Sequence, residues 1–156
     1  MSGNKLELFV NGQKIQLEVA PYETLLDVLR NHLHLKSVKA ACWRGDCGLC
    51  TVLVNGVPMK SCLILAHEMS DQEITTIEGL QSEGKLTKLQ QAFINQGAIQ
   101  CGFCTPAFIL TAEALLRENP NPSRSEIMEE ITGIICRCTG YEHIIQAIMN
   151  VSENKD

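Results

Sequence analysis

Apolar and polar residues alternate at Leu6, Leu8 and Val10, pause at Asn11-Gly12, and alternate again at Ile15, Leu17 and Val19. A period of two on both sides of Asn-Gly predicts a β-hairpin, because that dipeptide supplies the positive φ angles of a two-residue turn. Leu25, Val28, Leu29 and Leu33 then recur at helical spacing, with Thr24 as the candidate N-cap. Thr51-Val52-Leu53-Val54 runs into Asn55-Gly56 and predicts a second hairpin whose return carries Cys62; Ile74 to Ile77 gives a last short strand. Strand, strand, helix, loop, strands is the order of a β-grasp, in which a mixed sheet packs over one helix.

The polar stretch from Glu78 to Thr87, EGLQSEGKLT, contains two glycines and ends this pattern. It sets the expected division into residues 1–79 and residues 80–156. Beyond it Leu86, Leu89 and Phe93 predict one helix, and Pro106 opens a second, where a missing N–H costs least. Ser123 and Glu126 form a capping-box pattern for a third, with Ile127, Ile131 and Ile134. Ile144, Ile145, Ile148 and Val151 stripe a fourth. Four short helices with short connections predict a small four-helix bundle. The fold class expected is therefore α+β.

Composition narrows the function classes. The chain has 156 residues, 45% of them apolar and 20% charged, which is globular rather than disordered. Only 4% are aromatic, so each core must be aliphatic and modest, and bound metal would help to stabilise the fold. A net charge of -5 without a basic run speaks against nucleic acid or an anionic membrane surface as partner. The apolar stretch in MSGNKLELFVNG is too short for a signal sequence, and PAFILTAEALL is interrupted by Glu113. A cytoplasmic location is expected, where thiols stay reduced and clustered cysteines read as metal ligands before disulfides.

Eight cysteines carry the chemistry. Cys42, Cys47 and Cys50 in CWRGDCGLC are followed by Cys62; Cys101 and Cys104 in QCGFCTP are followed by Cys136 and Cys138 in CRCTG. Four thiolates are what one [2Fe–2S] cluster needs, and C-x4-C-x2-C is the plant-type ferredoxin spacing. Such a cluster is anionic, and more so when reduced. Backbone N–H groups in a tight loop offset that charge, which explains Gly45 and Gly48 between the first ligands and Gly102 in the second group. Helix N-termini at Pro106 and after Gly140 add partial positive charge. Zinc is the plainer alternative, since C-x2-C is a frequent zinc half-site. Taken alone, the second group fits zinc as well as a cluster; beside the first, the cluster reading leads.

SVKAACWRGDCGLCTVLVNG, QCGFCTPAFILTAEALL and CRCTGY resemble the small iron–sulfur subunit of the molybdenum hydroxylases, the xanthine dehydrogenase family. The resemblance spans nearly the whole chain, with the three motifs in family order. It implies a β-grasp, plant-type ferredoxin-like domain followed by a helical [2Fe–2S] domain. It assigns Cys42, Cys47, Cys50 and Cys62 to the cluster nearer the flavin or outer acceptor, and Cys101, Cys104, Cys136 and Cys138 to the cluster beside the molybdenum cofactor. It gives Gln100 a hydrogen bond to the pterin and places Cys138 where electrons enter. The implied partners are a large molybdopterin-binding subunit and a medium FAD-binding subunit in a hetero-oligomer, with xanthine or another purine as the first substrate choice and nicotinate, aldehydes, carbon monoxide and aromatic thioesters as alternatives. The chain departs from the family at Ala41 and Ala107, where glycine is usual, and at Trp43, where a small or polar residue is usual.

Other residues have plainer readings. Arg137, between two ligands, suits either electrostatic support of the cluster or a surface ion pair. His32, His34, His67 and His143 lack metal-site spacing, and eight cysteines leave no vacancy for Rieske ligation. Glu126, Glu129 and Glu130 read as a solvated helix face, and the five methionines as core or interface filler. No G-x-G-x-x-G follows a strand, and no P-loop occurs, so catalysis must reside on other chains. Two readings of other classes compete with the enzyme subunit: a free-standing double-cluster ferredoxin and a zinc-stabilised interaction module. Trp43 packs against apolar surface or a partner in the plainer reading, and shields the first cluster from water in the sharper one. Shielding disfavours the more negative reduced state, so it predicts that Trp43→Ala raises the potential of the first cluster in a redox titration; an unchanged potential leaves only the packing role.

Overall fold

The computed structural model describes residues 4–81 and 84–153. Strands β1 (Asn4–Val10) and β2 (Gln13–Val19) pair antiparallel, with Leu8 opposite Ile15. Both residues of the Asn11-Gly12 turn have positive φ, 53° and 74°, as the tight hairpin demands. Strands β3 (Thr51–Val54) and β4 (Val57–Lys60) repeat the device across Asn55-Gly56. Strand β5 (Glu73–Thr75) lies parallel to β1 and antiparallel to β3, which makes the five-stranded sheet mixed, in the order β2-β1-β5-β3-β4.

One helical segment covers this sheet. Helix α1 (Leu25–Asp27) starts at Thr24, whose hydroxyl accepts from the Asp27 N–H while the Asp27 carboxylate accepts from the Thr24 N–H. The next turn, Val28–His32, is π-helical, closed by the Leu33 N–H on the Val28 carbonyl at 3.0 Å. Despite the change of pitch, Leu25, Val28 and Leu29 are fully buried against Leu8, Val52 and Ile74, and only Leu33 is left at the margin. Each fully buried leucine contributes roughly 1.5–3 kcal/mol.

A second core is built by α2 (Lys88–Asn95), α3 (Thr105–Glu118), α4 (Arg124–Ile131) and α5 (Glu142–Glu153), around Phe93, Phe108, Ile127, Ile144 and Ile148. Capping boxes at Thr87–Gln90 and Ser123–Glu126 fix two of the starts. Pro106 is the second residue of α3. The result is the expected α+β arrangement, a ferredoxin-like sheet domain followed by four helices.

Several details differ from the sequence expectations. Cys62 is not on the returning strand: β4 ends at Lys60, because Ser61 turns inward and gives both its hydroxyl and its N–H to the Cys50 carbonyl. The last strand begins at Glu73 and stops at Thr75, where the Asn11 side chain accepts the Thr76 N–H at 2.9 Å. Leu86 precedes the Thr87 cap and is exposed rather than marking the helix. Ile134 lies beyond the end of α4 yet is buried. Of the methionines, Met69 and Met149 are partly buried against the two cores, whereas Met59 and Met128 are exposed. Met1, and Ser82 and Glu83 of the predicted linker, fall outside the described residues. His32 pairs with Glu23 at 2.7 Å near the surface.

The Ser123 box is the clearest local stability device, since its hydroxyl and the Glu126 carboxylate each satisfy an N–H at the start of α4. Ser123→Ala should lower stability by about 1 kcal/mol, read as a lower midpoint in denaturant unfolding with an unchanged slope.

Candidate metal centres

The first group of thiols sits on the loop between α1 and β3 and on the turn after β4. Cys47, Cys50 and Cys62 are buried, and Cys42 is partly exposed. Trp43 turns this loop with φ 57°, and Gly45 and Gly48 follow at 84° and 68°. The effect is to aim amides at sulfur. The Cys42 thiol receives the N–H groups of Arg44, Cys47 and Asp46 and contacts the Cys47 side chain, which together lower its pKa from 9.0 to about 6. Burial pushes Cys62 up to about 11, helped by its contact with Cys50, while the Gly45 amide acts in the opposite direction. The loop therefore already offers an electropositive cradle to anionic sulfur.

The second group occupies two helix approaches. Cys104 is the N-cap of α3, and Cys101 sits three residues earlier with its sulfur facing the Phe103 amide, which lowers its pKa. Cys138 lies on the turn before α5, 3.6 Å sulfur to sulfur from Cys101, a contact that raises its own pKa. Burial pushes Cys104 to about 12, reinforced by contact with Cys136. Burial also acts to raise Cys136, but the Thr139 hydroxyl and amide and the Cys138 amide outweigh it, and its net shift is downward.

The thiols are arranged two by two. Cys42 touches Cys47 and Cys50 touches Cys62; Cys101 touches Cys138 and Cys104 touches Cys136. Within each four, charge on one pair is felt by the other. Among the described residues no three or more His, Cys, Asp or Glu side chains gather as they would around a single ion. Two thiolates for each of two irons is the donor set of a [2Fe–2S] centre, and each group could supply it.

The two centres are joined through backbone. The Cys47 carbonyl accepts the Ile135 N–H at 3.0 Å, and Ile135 directly precedes Cys136. Gly48 makes this possible: a Cβ there would stand 2.2 Å from the Gly133 carbonyl oxygen. Leu49 packs into the helical core, the Lys39 N–H donates to the Leu49 carbonyl at 3.3 Å, and the Lys39 ammonium lies 5.6 Å from the Phe103 ring centroid.

Gly102 has φ 78°, and a Cβ there would meet Ile99 Cγ2 at an ordinary 4.0 Å, so its role is conformational. Gln100 is exposed beside the exposed Cys101. Arg137 is exposed, and among the described residues no carboxylate pairs with it. Trp43 is 51% exposed, so within this chain its ring does not seal the first site. Sequence reasoning missed Ser61, which holds the Cys50 carbonyl, Gly133 and Ile135, which form the bridge, and Thr139 and Tyr141. A hydroxyl next to a ligand was the available signal for Ser61; nothing local marks Gly133.

Comparison with known proteins agrees with this geometry. Residues 8–77 match a family described as a 2Fe-2S iron-sulfur cluster binding domain, and residues 76–149 one described as a [2Fe-2S] binding domain. The nicotinate dehydrogenase small FeS subunit of Eubacterium barkeri is 46% identical, over 92% of this chain and 91% of its own length. The xanthine dehydrogenase iron-sulfur-binding subunit of Escherichia coli O157:H7 is 42% identical, over 96% and 95%. Among solved structures, quinoline 2-oxidoreductase of Pseudomonas putida 86 superposes with a TM-score of 0.95 at 43% identity, covering 98% of this chain and 96% of that one. Two paired-thiol centres on a sheet domain and a helical domain, matched at this identity over almost the full length, mean that the chain belongs to the small iron–sulfur subunits of the molybdenum hydroxylase, or xanthine dehydrogenase, family.

Proposed function

We propose that this chain is the electron-transfer subunit of a multi-subunit molybdenum hydroxylase, relaying electrons from a molybdopterin centre on a large subunit to FAD on a medium subunit. The observation that carries the reading is the Cys47–Ile135 hydrogen bond, which ties a ligand of one centre to the residue preceding a ligand of the other. Cys42, Cys47, Cys50 and Cys62 would hold one [2Fe–2S] cluster and Cys101, Cys104, Cys136 and Cys138 the other, dividing the chain near residues 79 and 80. Bound there, the clusters supply reversible one-electron chemistry.

The chain's own residues do the rest. Amides of Arg44, Asp46 and Cys47 stabilise charge on the Cys42 sulfur, and the Gly45 amide does so on Cys62. Burial of Cys47, Cys50, Cys62 and Cys104 excludes water from those sulfurs. Cys101 and Cys138 remain exposed beside Gln100, which supports placing that edge against the pterin. Ile99, Phe103 and Ile135 are exposed near the second group, and Trp43, Leu63 and Leu65 near the first. Apolar side chains left at the surface beside both centres fit permanent partners on two sides better than a freely diffusing carrier.

Trp43 then acts by packing against the partner at the first centre. Among the described residues no helix is long and apolar enough to cross a membrane, which is compatible with a cytoplasmic complex. Relatives named for nicotinate and for xanthine dehydrogenases match at 46% and 42% identity. A purine remains our substrate choice, and the pocket that selects it belongs to the large subunit.

Anaerobically isolated protein should contain about four irons and about four acid-labile sulfides per chain, and Cys62→Ser should remove half of each. A colourless protein without iron overturns the function. Gly48→Ala should lower stability by about 1–3 kcal/mol through the clash with the Gly133 carbonyl; an unchanged unfolding midpoint contradicts the bridge.

A further inference from the structure

The turn from Cys136 to Tyr141 contains a set of hydrogen bonds that ligation alone does not require. Thr139 Oγ1 lies 3.1 Å from Cys136 Sγ, and the Thr139 N–H reaches the same sulfur at 3.4 Å. The Tyr141 N–H donates to Thr139 Oγ1 at 3.3 Å, and the Tyr141 hydroxyl accepts the Cys136 N–H at 3.0 Å. Tyr141 is itself held in place, with φ 71° and its ring edge-on to buried Phe108, centroids 6.0 Å apart.

The direction of the 3.1 Å contact follows from elementary chemistry. A ligating thiolate has no proton, so the Thr139 hydroxyl must be the donor. The Tyr141 N–H occupies a lone pair of the same oxygen and leaves its proton directed at sulfur. The Tyr141 phenol binds the Cys136 N–H, which fixes the peptide on the other side. Cys136 thus collects three donors, the Thr139 hydroxyl, the Thr139 amide and the Cys138 amide. Cys101 and Cys138, by contrast, sit at the exposed edge. Cys136 is also the ligand nearest in sequence to the Ile135 bridge.

We propose that Thr139 is a positioning residue for electron transfer: its hydroxyl, oriented by the Tyr141 amide, donates to Cys136 and raises the potential of the helical-domain cluster. The inference rests on the two-cluster reading above. A hydrogen bond to a ligand sulfur strengthens as negative charge accumulates there, so it favours the reduced state. Because three donors converge on Cys136, a bound cluster would find this hydrogen-bond support at the ligand that follows the Ile135 bridge.

The test is a potentiometric titration of the assembled complex followed by electron paramagnetic resonance. Cys62→Ser identifies which step belongs to the helical domain. Thr139→Val keeps the shape and the amide but removes the hydroxyl. It should lower the reduced-to-oxidised ratio of that cluster about tenfold at fixed ambient potential, about 59 mV for a one-electron couple. The first cluster's step should stay in place, and Thr139→Ser should titrate like the wild type. An unmoved step in Thr139→Val, an equal movement of both steps, or a Thr139→Ser shift as large as that of valine would overturn the proposal.

Should Thr139→Val fail to take up iron, resonance Raman spectra of the Cys62→Ser protein in light and heavy water replace it. An iron–cysteine stretch that shifts on exchange, and shifts less with Thr139→Ala added, supports the hydroxyl contact; equal shifts in the two overturn it. A wild-type protein without iron would instead defeat the two-cluster reading itself.

Discussion

The approach of two backbones, the Cys47–Gly48 loop of the sheet domain and the Gly133–Ile135 segment of the helical domain, sets the geometry on which everything else depends. A carbonyl and an amide meet there at 3.0 Å, and no side chain lies between the chains because one partner is glycine at the point of contact. The two small cores meet across helix α3 and strand β3, with Leu49, Ile77 and Leu80 packed on the helical core. The Cys47–Ile135 hydrogen bond adds a fixed backbone register to that packing. The contact lies at the cysteine segments themselves, so a peptide hydrogen bond as well as side-chain packing holds the two thiol groups at their spacing.

The same economy governs the sulfurs. Positive-φ residues at Trp43, Gly45 and Gly48 curl the first loop so that successive amides face inward. In the second centre, the amides of Phe103, Cys138 and Thr139 are joined by one threonine hydroxyl. Cys42 and Cys62 show what this achieves. Both are cysteines of one group, yet amides hold one thiol down to about 6 while burial drives the other to about 11. Placement relative to backbone donors, not residue type, decides how readily each sulfur carries charge.

Much of this was legible in the sequence. The two Asn-Gly hairpins, the Ser123–Glu126 box and the spacing of the eight cysteines are local signals, and local signals survive folding. What remained hidden depends on contacts between distant segments. Gly133 looks like an ordinary helix-end glycine until Gly48 is brought against it, 85 residues away by subtraction of their numbers. The π-helical turn after Asp27 leaves the apolar spacing almost unchanged, so periodicity cannot reveal it. Cys62 falls on a turn because Ser61 prefers the Cys50 carbonyl to continuing the ladder, a choice fixed by tertiary structure.

The uneven exposure of the thiols decides which of them the chain protects by itself. Cys47, Cys50 and Cys62 lie under the loop that encloses them, whereas Cys101 and Cys138 open onto solvent on one flank. Cys104 is buried as well, so full exposure is confined to the Cys101–Cys138 pair. The same flank is the one an oxidant would reach first. The isolated chain thus covers three sulfurs of its sheet domain but leaves two of its helical domain bare, a gap that a covering polypeptide would close.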